Sequence, residues 1–356
     1  MSRTISSTAM RQLMLDVFER LNVSPDDAVT VTDILCEASL SGYDSHGIVR
    51  LAMYVSDLRQ GRTKPAAEMK TLRESAGSAH LDAGFGLGPI SCVRAFEIAT
   101  EKAQTTGCGC VTIVNCTDVA RLGSYVSAPA QQGLVGLIMV NDAGGNPAVA
   151  PFGGSAPFFG TNPIASGIPW QPQKPIVIDF STSVVAAGKV KMVSRLGGQT
   201  PDGWLIDDKG QPTNDPEAFS IDGTKGALLP LGGQTSGHKG FSLGLLVEIL
   251  AGILSGAGAS TGQQPQDNHN INGIFILVLD PDHFVSRPMF ELAVDQLVTN
   301  VKNSRKAPGF DEILIPGERS SQERHRRQQE GIELDSETAD EIAYVLKELN
   351  LPDRYI

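Results

Sequence analysis

The sequence predicts an α+β protein: a mixed sheet over residues 76–285, flanked by one helical layer drawn from both chain ends, 1–75 and 286–356. Helical periodicity dominates the ends, and short β-branched runs are confined to the middle. No segment reads GxGxxG, so the Rossmann turn, whose third glycine lets helix pack on sheet, is not expected. Near the start, Ser24-Pro25-Asp26-Asp27 supplies a capping hydroxyl, a proline at the first helical position and two acids beside the exposed N–H groups. That helix should stop at Ser41-Gly42, and a second should run from Ser45 through Arg59 to Gly61. Val111–Val114, Leu134–Val140, Ile176–Ile178 and Ile274–Leu279 read as buried strands. Helices are expected at Pro89–Thr105, Val184–Ser194 and His238–Leu254, then at Phe284–Val301 and Ser336–Leu349.

Composition narrows the function. The formal net charge is −11, which excludes a general nucleic-acid groove. No run of 18 apolar residues occurs, so no membrane span is expected. Five cysteines without a CxxC spacing read as thiols of a reducing, cytoplasmic setting. His46, His80, His238, His269, His283 and His325 include no HxxxH pair, and no metal site is expected. Glycine makes up 38 of 356 residues, about 11% against a usual ~7%, and serves either simple turns or close approach of backbone to a flat ligand. Gly232 to Gly240 looks like a phosphate loop leading into a helix, with Lys239 beside it, but lacks the hydroxyl a P-loop requires. The charged stretch Glu318 to Glu330 admits two readings, a solvated helix face or a basic grip on a phosphate.

Chemistry concentrates around Ser45-His46. On a helix from Ser45, His46, Arg50 and Tyr54 fall at i, i+4 and i+8 on one face. An imidazole that moves a proton beside a guanidinium that grips a carboxylate suits an anionic substrate. A helix N-terminus with a half-buried histidine is the plainer alternative. Asp179 closes a strand and either orients a histidine or caps the next helix.

Together these motifs resemble the type 2 malate/L-lactate dehydrogenases, NAD(P)-dependent oxidoreductases whose relatives include sulfolactate, ureidoglycolate, diketogulonate and piperideine-carboxylate enzymes. The resemblance rests on Ser45-His46-Gly47 with Arg50 and Tyr54, Gly160-Thr-Asn-Pro-Ile164, Asp179-Phe-Ser-Thr-Ser183, Gly188-Lys189, Leu228 to Gly233, His238-Lys239-Gly240, Asn272-Gly273 and Pro316-Gly317-Glu318. It implies NAD or NADP bound by a non-Rossmann mixed-sheet domain, and a homodimer with its active site near the interface. It implies His46 as proton donor, Asp179 as its partner, Ser45 beside them and Arg50 on the substrate carboxylate, with Tyr54, Asp118 and Arg121 lining the substrate. It places the cofactor at Thr161, Asn162, Phe180, Ser181, Thr182, Ser183, Lys189, His238, Lys239, Gly317 and Glu318. One departure stands out: Asp118 occupies the place of a family histidine, which disfavours a second anionic group on the substrate. The implied reaction is hydride transfer to a small 2-oxo acid. A cyclic imino acid, or cofactor binding without catalysis, is the alternative.

Overall fold

The computed structural model describes residues 3–143, 145, 147–172, 174–220, 223–260, 271–352 and 355, and His269 lies outside them. The chain opens with β1 (Arg3–Ile5), α1 (Ser7–Arg20), α2 (Pro25–Leu40) and α3 (Leu51–Arg59). Then come β2 (Lys70–Glu74), β3 (Ser78–Asp82), α4 (Gly88–Thr106), β4 (Cys108–Cys116), α5 (Gly123–Gln131), β5 (Val135–Asp142), β6 (Pro163–Gln171), β7 (Lys174–Ser181) and α6 (Ala187–Arg195). The short strands β8 (Leu205–Ile206), β9 (Pro212–Thr213) and β10 (Ala227–Leu228) make a small sheet. α7 (Gly233–Val247) continues into a π-helical turn at Glu248–Ile253, and β11 (Asn272–Leu279), α8 (Arg287–Lys302), α9 (Glu318–Glu330), β12 (Ile332–Leu334) and α10 (Ser336–Glu348) complete the order.

The main sheet runs β2-β3-β4-β11-β5-β6-β7, antiparallel except for the β3–β4 pair. Its centre is covered on both faces. Ile274, Ile276 and Val278 join a core with Ala95, Phe96 and Ala99 of α4, while Phe275 packs with Val247 of α7 and Ala251 of the π-helical turn. That two-sided burial is why these strands read as continuous apolar runs rather than alternating ones. Register then gathers distant residues at one end. Asn272 lies opposite both Cys116 and Asp142, and Pro163 opposite Ser181.

The capping expected at Ser24 is present: its Oγ accepts from the Asp27 amide at 3.3 Å. β1 pairs antiparallel with β12, and Met10, Phe18, Leu35 and Tyr54 share one core with Ile342, Val345 and Leu346 of α10. Not all of the C-terminal segment joins that layer. Val294 and Val298 of α8 pack instead on Ile168, Trp170 and Ile176 of the sheet.

Two sequence readings change. The Gly232–Gly240 stretch is not a loop before a helix, because α7 already begins at Gly233. A Cβ on Gly240 would sit 2.3 Å from the Leu231 amide nitrogen, so these glycines let a helix lie against the chain that precedes it. Of the two readings of the basic stretch, now α9, the structure shows the solvated helix face: none of its residues is buried, and three of its arginines are engaged. Arg324 bonds Glu37, Arg327 bonds Asp44 and the Ser39 carbonyl, and Arg326 pairs with Glu323 and Glu330. α9 thereby fastens the C-terminal segment to the end of α2.

Candidate active site

The segment after α2 departs from the expected helix. Two 3₁₀ turns, Asp44–His46 and Ile48–Arg50, precede α3. Gly47 breaks them with extended backbone (φ −107°, ψ −136°). A Cβ there would lie 2.0 Å from Ser39 Oγ, which accepts from the Ile48 amide at 2.9 Å. This close approach turns His46 out of helical register, while Arg50 and Tyr54 still converge on one carboxylate. Arg50 Nη1 donates to Asp118 Oδ2 at 2.8 Å, and Tyr54 OH donates to Asp118 Oδ1 at 2.9 Å. Arg50 Nε donates to the Ser45 carbonyl at 2.8 Å, and Ser45 Oγ lies 2.9 Å from His46 Nδ1. The Ser45–His46 turn is thus pinned to Asp118, which follows β4.

Burial, reinforced by Arg50, pushes the His46 pKa down to about 4, against the opposing pull of Asp118. Burial thus favours the neutral ring at pH 7. Burial raises the Asp118 carboxyl, but Arg50, His46 and the Tyr54 hydroxyl outweigh it and hold the group below the usual range.

Asp179 does not partner His46. Its Oδ2 accepts from Arg121 Nε at 3.1 Å and from the Gly123 amide at 3.0 Å. Arg121 also donates through Nη1 to both oxygens of Glu37, at 2.8 and 3.0 Å. Its guanidinium lies over the Tyr43 ring, 3.9 Å from the centroid, and its side chain is only 4% exposed. Enclosed in this way, Arg121 is committed to the carboxylates of Asp179 and Glu37. Glu37, missed in the sequence, is the hub: it binds Arg121, Arg324, Ser124 and Ser41. Its signal was an acid on a helix whose neighbours Leu35 and Ala38 are buried.

The expected cofactor residues divide into two kinds. Asn162, 1% exposed, points inward and donates to the Gly244 carbonyl and Glu248. Thr182 donates to the Thr161 carbonyl, Ser181 to the Ser183 carbonyl and Ser183 to the Val185 carbonyl. These side chains shape the loop after β7. Phe180, Lys189, His238 and Lys239 are exposed. Gly188, in the first turn of α6, faces Ser45: a Cβ there would meet Ser45 Cβ at 3.5 Å. α6 has no side-chain cap, so its first N–H groups and Lys189 suit an anionic group beside His46. Gly317 and Glu318 border a separate cavity of about 480 Å³, with Arg121, Trp170 and Val177 on its walls. The Glu318 carboxylate is held by Lys302 and accepts from the Ile315 amide.

Residues 5–343 match the family described as malate/L-lactate dehydrogenase. The chain belongs to that family. It is 35% identical to a malate dehydrogenase of Pyrococcus abyssi, over 94% of this chain and 92% of the relative. It is 34% identical to an L-sulfolactate dehydrogenase of Methanothermobacter thermautotrophicus, over 96% and 95%. The solved malate dehydrogenase of Entamoeba histolytica superposes with a TM-score of 0.94 at 27% identity, covering all of both chains. The chain is accordingly an oxidoreductase of the malate/L-lactate dehydrogenase family.

Beside this dehydrogenase site lies a second buried polar cluster that the sequence reading missed. Glu248, 2% exposed, accepts from Asn141, Asn162 and the Ser260 amide. Among the described residues, Asp142 Oδ1 and Asn162 Oδ1 are buried without a partner. Burial, then the charges of Asp118 and Glu248, raise the Asp142 pKa to about 7, with Arg50 opposing. A carboxyl raised in the folded state favours folding at low pH and loses that contribution as pH rises through the folded pKa. Asp142→Asn should therefore stabilise the protein more at pH 8 than at pH 5, by on the order of 2 kcal/mol. Urea midpoints at the two pH values measure this, and an equal effect at both would refute it.

Proposed function

We propose that the chain catalyses reversible hydride transfer between NADH or NADPH and the C2 carbon of a small 2-oxo or 2-hydroxy acid. The carrying observation is the Ser45–His46 turn, braced by Arg50 and facing Gly188 of the Gly188–Lys189 turn through Ser45. A bound nicotinamide supplies or receives the hydride. His46 takes the hydroxyl proton in oxidation and returns it to the carbonyl oxygen in reduction. A substrate carboxylate brings negative charge beside the ring and raises its proton affinity when reduction requires it. Arg50, braced by Asp118 and the Ser45 carbonyl, keeps Nη2 for that carboxylate. Tyr54 fixes Asp118, and Arg121 with Asp179 fixes the Tyr43–His46 segment from behind.

For the cofactor, the α6 N-terminus with Lys189 and Lys239 suits the diphosphate. Thr161, Phe180, Ser181 and His238 would form the surrounding wall, with Asn162, Thr182 and Ser183 buried behind it and shaping the loop; Gly317 and Glu318 border the other cavity. A largely antiparallel sheet without a GxGxxG turn supports non-Rossmann binding. Exposed Leu245, Leu246, Ile249 and Ile253 along α7 and its π-helical turn support a homodimer. Unpaired cysteines agree with a cytoplasmic setting.

The test is nicotinamide absorbance with NADH or NADPH and a panel of 2-oxo acids. Oxidation of at least one cofactor is expected. Cofactor binding without turnover across the panel would sink the proposal.

A further inference from the structure

The cations around His46 are nearly consumed by the protein itself. Arg50 gives Nη1 to Asp118 and Nε to a carbonyl. Arg121 lies between Asp179 and Glu37. Asp142 stands near enough to Asp118 and Arg50 to feel both charges. Three guanidinium groups, Arg50, Arg121 and Arg324, thus face four acidic side chains, Asp118, Asp179, Glu37 and Asp142, and Arg324 is spent on Glu37. One carboxylate finds the open Nη2 edge of Arg50. A second, a few bonds along a small substrate, meets acids rather than cations. Lys189, exposed on the turn whose Gly188 faces Ser45, is a cation suited to the cofactor diphosphate.

Resting on the functional reading above, we propose that the site accepts substrates bearing a single carboxylate and rejects those with a second anionic group, and that Asp118 sets this selectivity. Asp118 acts twice: it occupies one donor of Arg50, and it adds a negative charge where a second acid would lie. The chain would thus differ from a dicarboxylate dehydrogenase while keeping the same proton-transfer residue.

The test compares oxaloacetate with 2-oxosuccinamate, the same skeleton with its second carboxylate replaced by a neutral amide. In wild type, kcat/KM for the amide should exceed that for oxaloacetate tenfold or more. Asp118→Asn keeps the shape and removes the charge, so it should narrow the ratio at least fivefold. If that variant fails to fold, Asp142→Asn should narrow the ratio in the same direction without touching Arg50. Thermal shifts of the NADH- or NADPH-bound enzyme with each compound give the same comparison without turnover. Oxaloacetate used as well as the amide by wild type, or a ratio unmoved by either variant, overturns the proposal. In that case loss of oxaloacetate use in Lys189→Met, with use of the amide and the KM for the cofactor unchanged, would identify Lys189 as the second contact. No hydride transfer with any 2-oxo acid, while thermal shifts still favour the amide, would defeat the functional reading and leave the charge selectivity standing.

Discussion

His46→Ala is expected to slow turnover about 10²–10⁴-fold, the usual worth of a positioned general acid–base. Cofactor binding should be nearly unchanged, because the ring bonds only Ser45 among the described residues. The pH profile provides a second reading of the same residue. A free-enzyme pKa of about 4 keeps His46 unprotonated at neutral pH. In hydroxy-acid oxidation, kcat/KM should therefore stay level from pH 8 to about 5 and fall only as pH approaches 4. Linkage works in the same direction: the fold favours the neutral ring, so stability is lost as pH falls from the unfolded value near 6.5 toward 4. Turnover in His46→Ala within tenfold of wild type would assign the proton to another group.

Arg121→Ala should cost about 3–5 kcal/mol of stability, the range for leaving a buried ion pair half-occupied. That is a large share of a typical 5–15 kcal/mol. Glu37 would retain Arg324, but Asp179 would keep only the Gly123 amide. Burial already raises the Asp179 carboxyl even with Arg121 present. The loss should therefore be greatest at pH 8 and shrink on acidification, as Asp179 takes up a proton. Arg121→Lys should recover only part of it, because one ammonium cannot reproduce a fork shared between two carboxylates. Denaturant midpoints at pH 5 and pH 8 decide the matter: a loss below 1 kcal/mol at pH 8 would show that the network is not stabilising.

Local signals carried the sequence reading where the local chain decides the structure. Ser24-Pro25-Asp26-Asp27 starts a helix because its capping groups lie within one turn, and Ile274–Leu279 reads as a strand because both faces are buried. The site motif was legible as residue types: His46, Arg50 and Tyr54 do belong to one cluster with Asp118. Pairings across the chain were not legible. Arg121 could have met Asp118 or a substrate, and only the fold brings it to Glu37 and Asp179. Glycine misled in α7, where absence of a side chain reads as a loop but serves a close helix contact. Gly47 misled the other way, since nothing in the sequence shows that Ser39 stands where its Cβ would be. Glu248 sat in plain view as one acid in an apolar run, and its partners come from β5, the residue before β6 and Ser260.

The β1–β12 ladder has a consequence in time. It joins segments roughly 330 residues apart, a closure that is slow because its entropy is spent before any contact rewards it. The sheet draws on residues 70–279 and lacks nothing from the C-terminal strand or α10. Phe18 and Tyr54, by contrast, share a core with Ile342 and Val345. During synthesis, at about 5–20 residues per second, the first helices would wait for the last ones. His46 rides on the waiting layer, so in refolding the recovery of activity should lag behind recovery of the sheet.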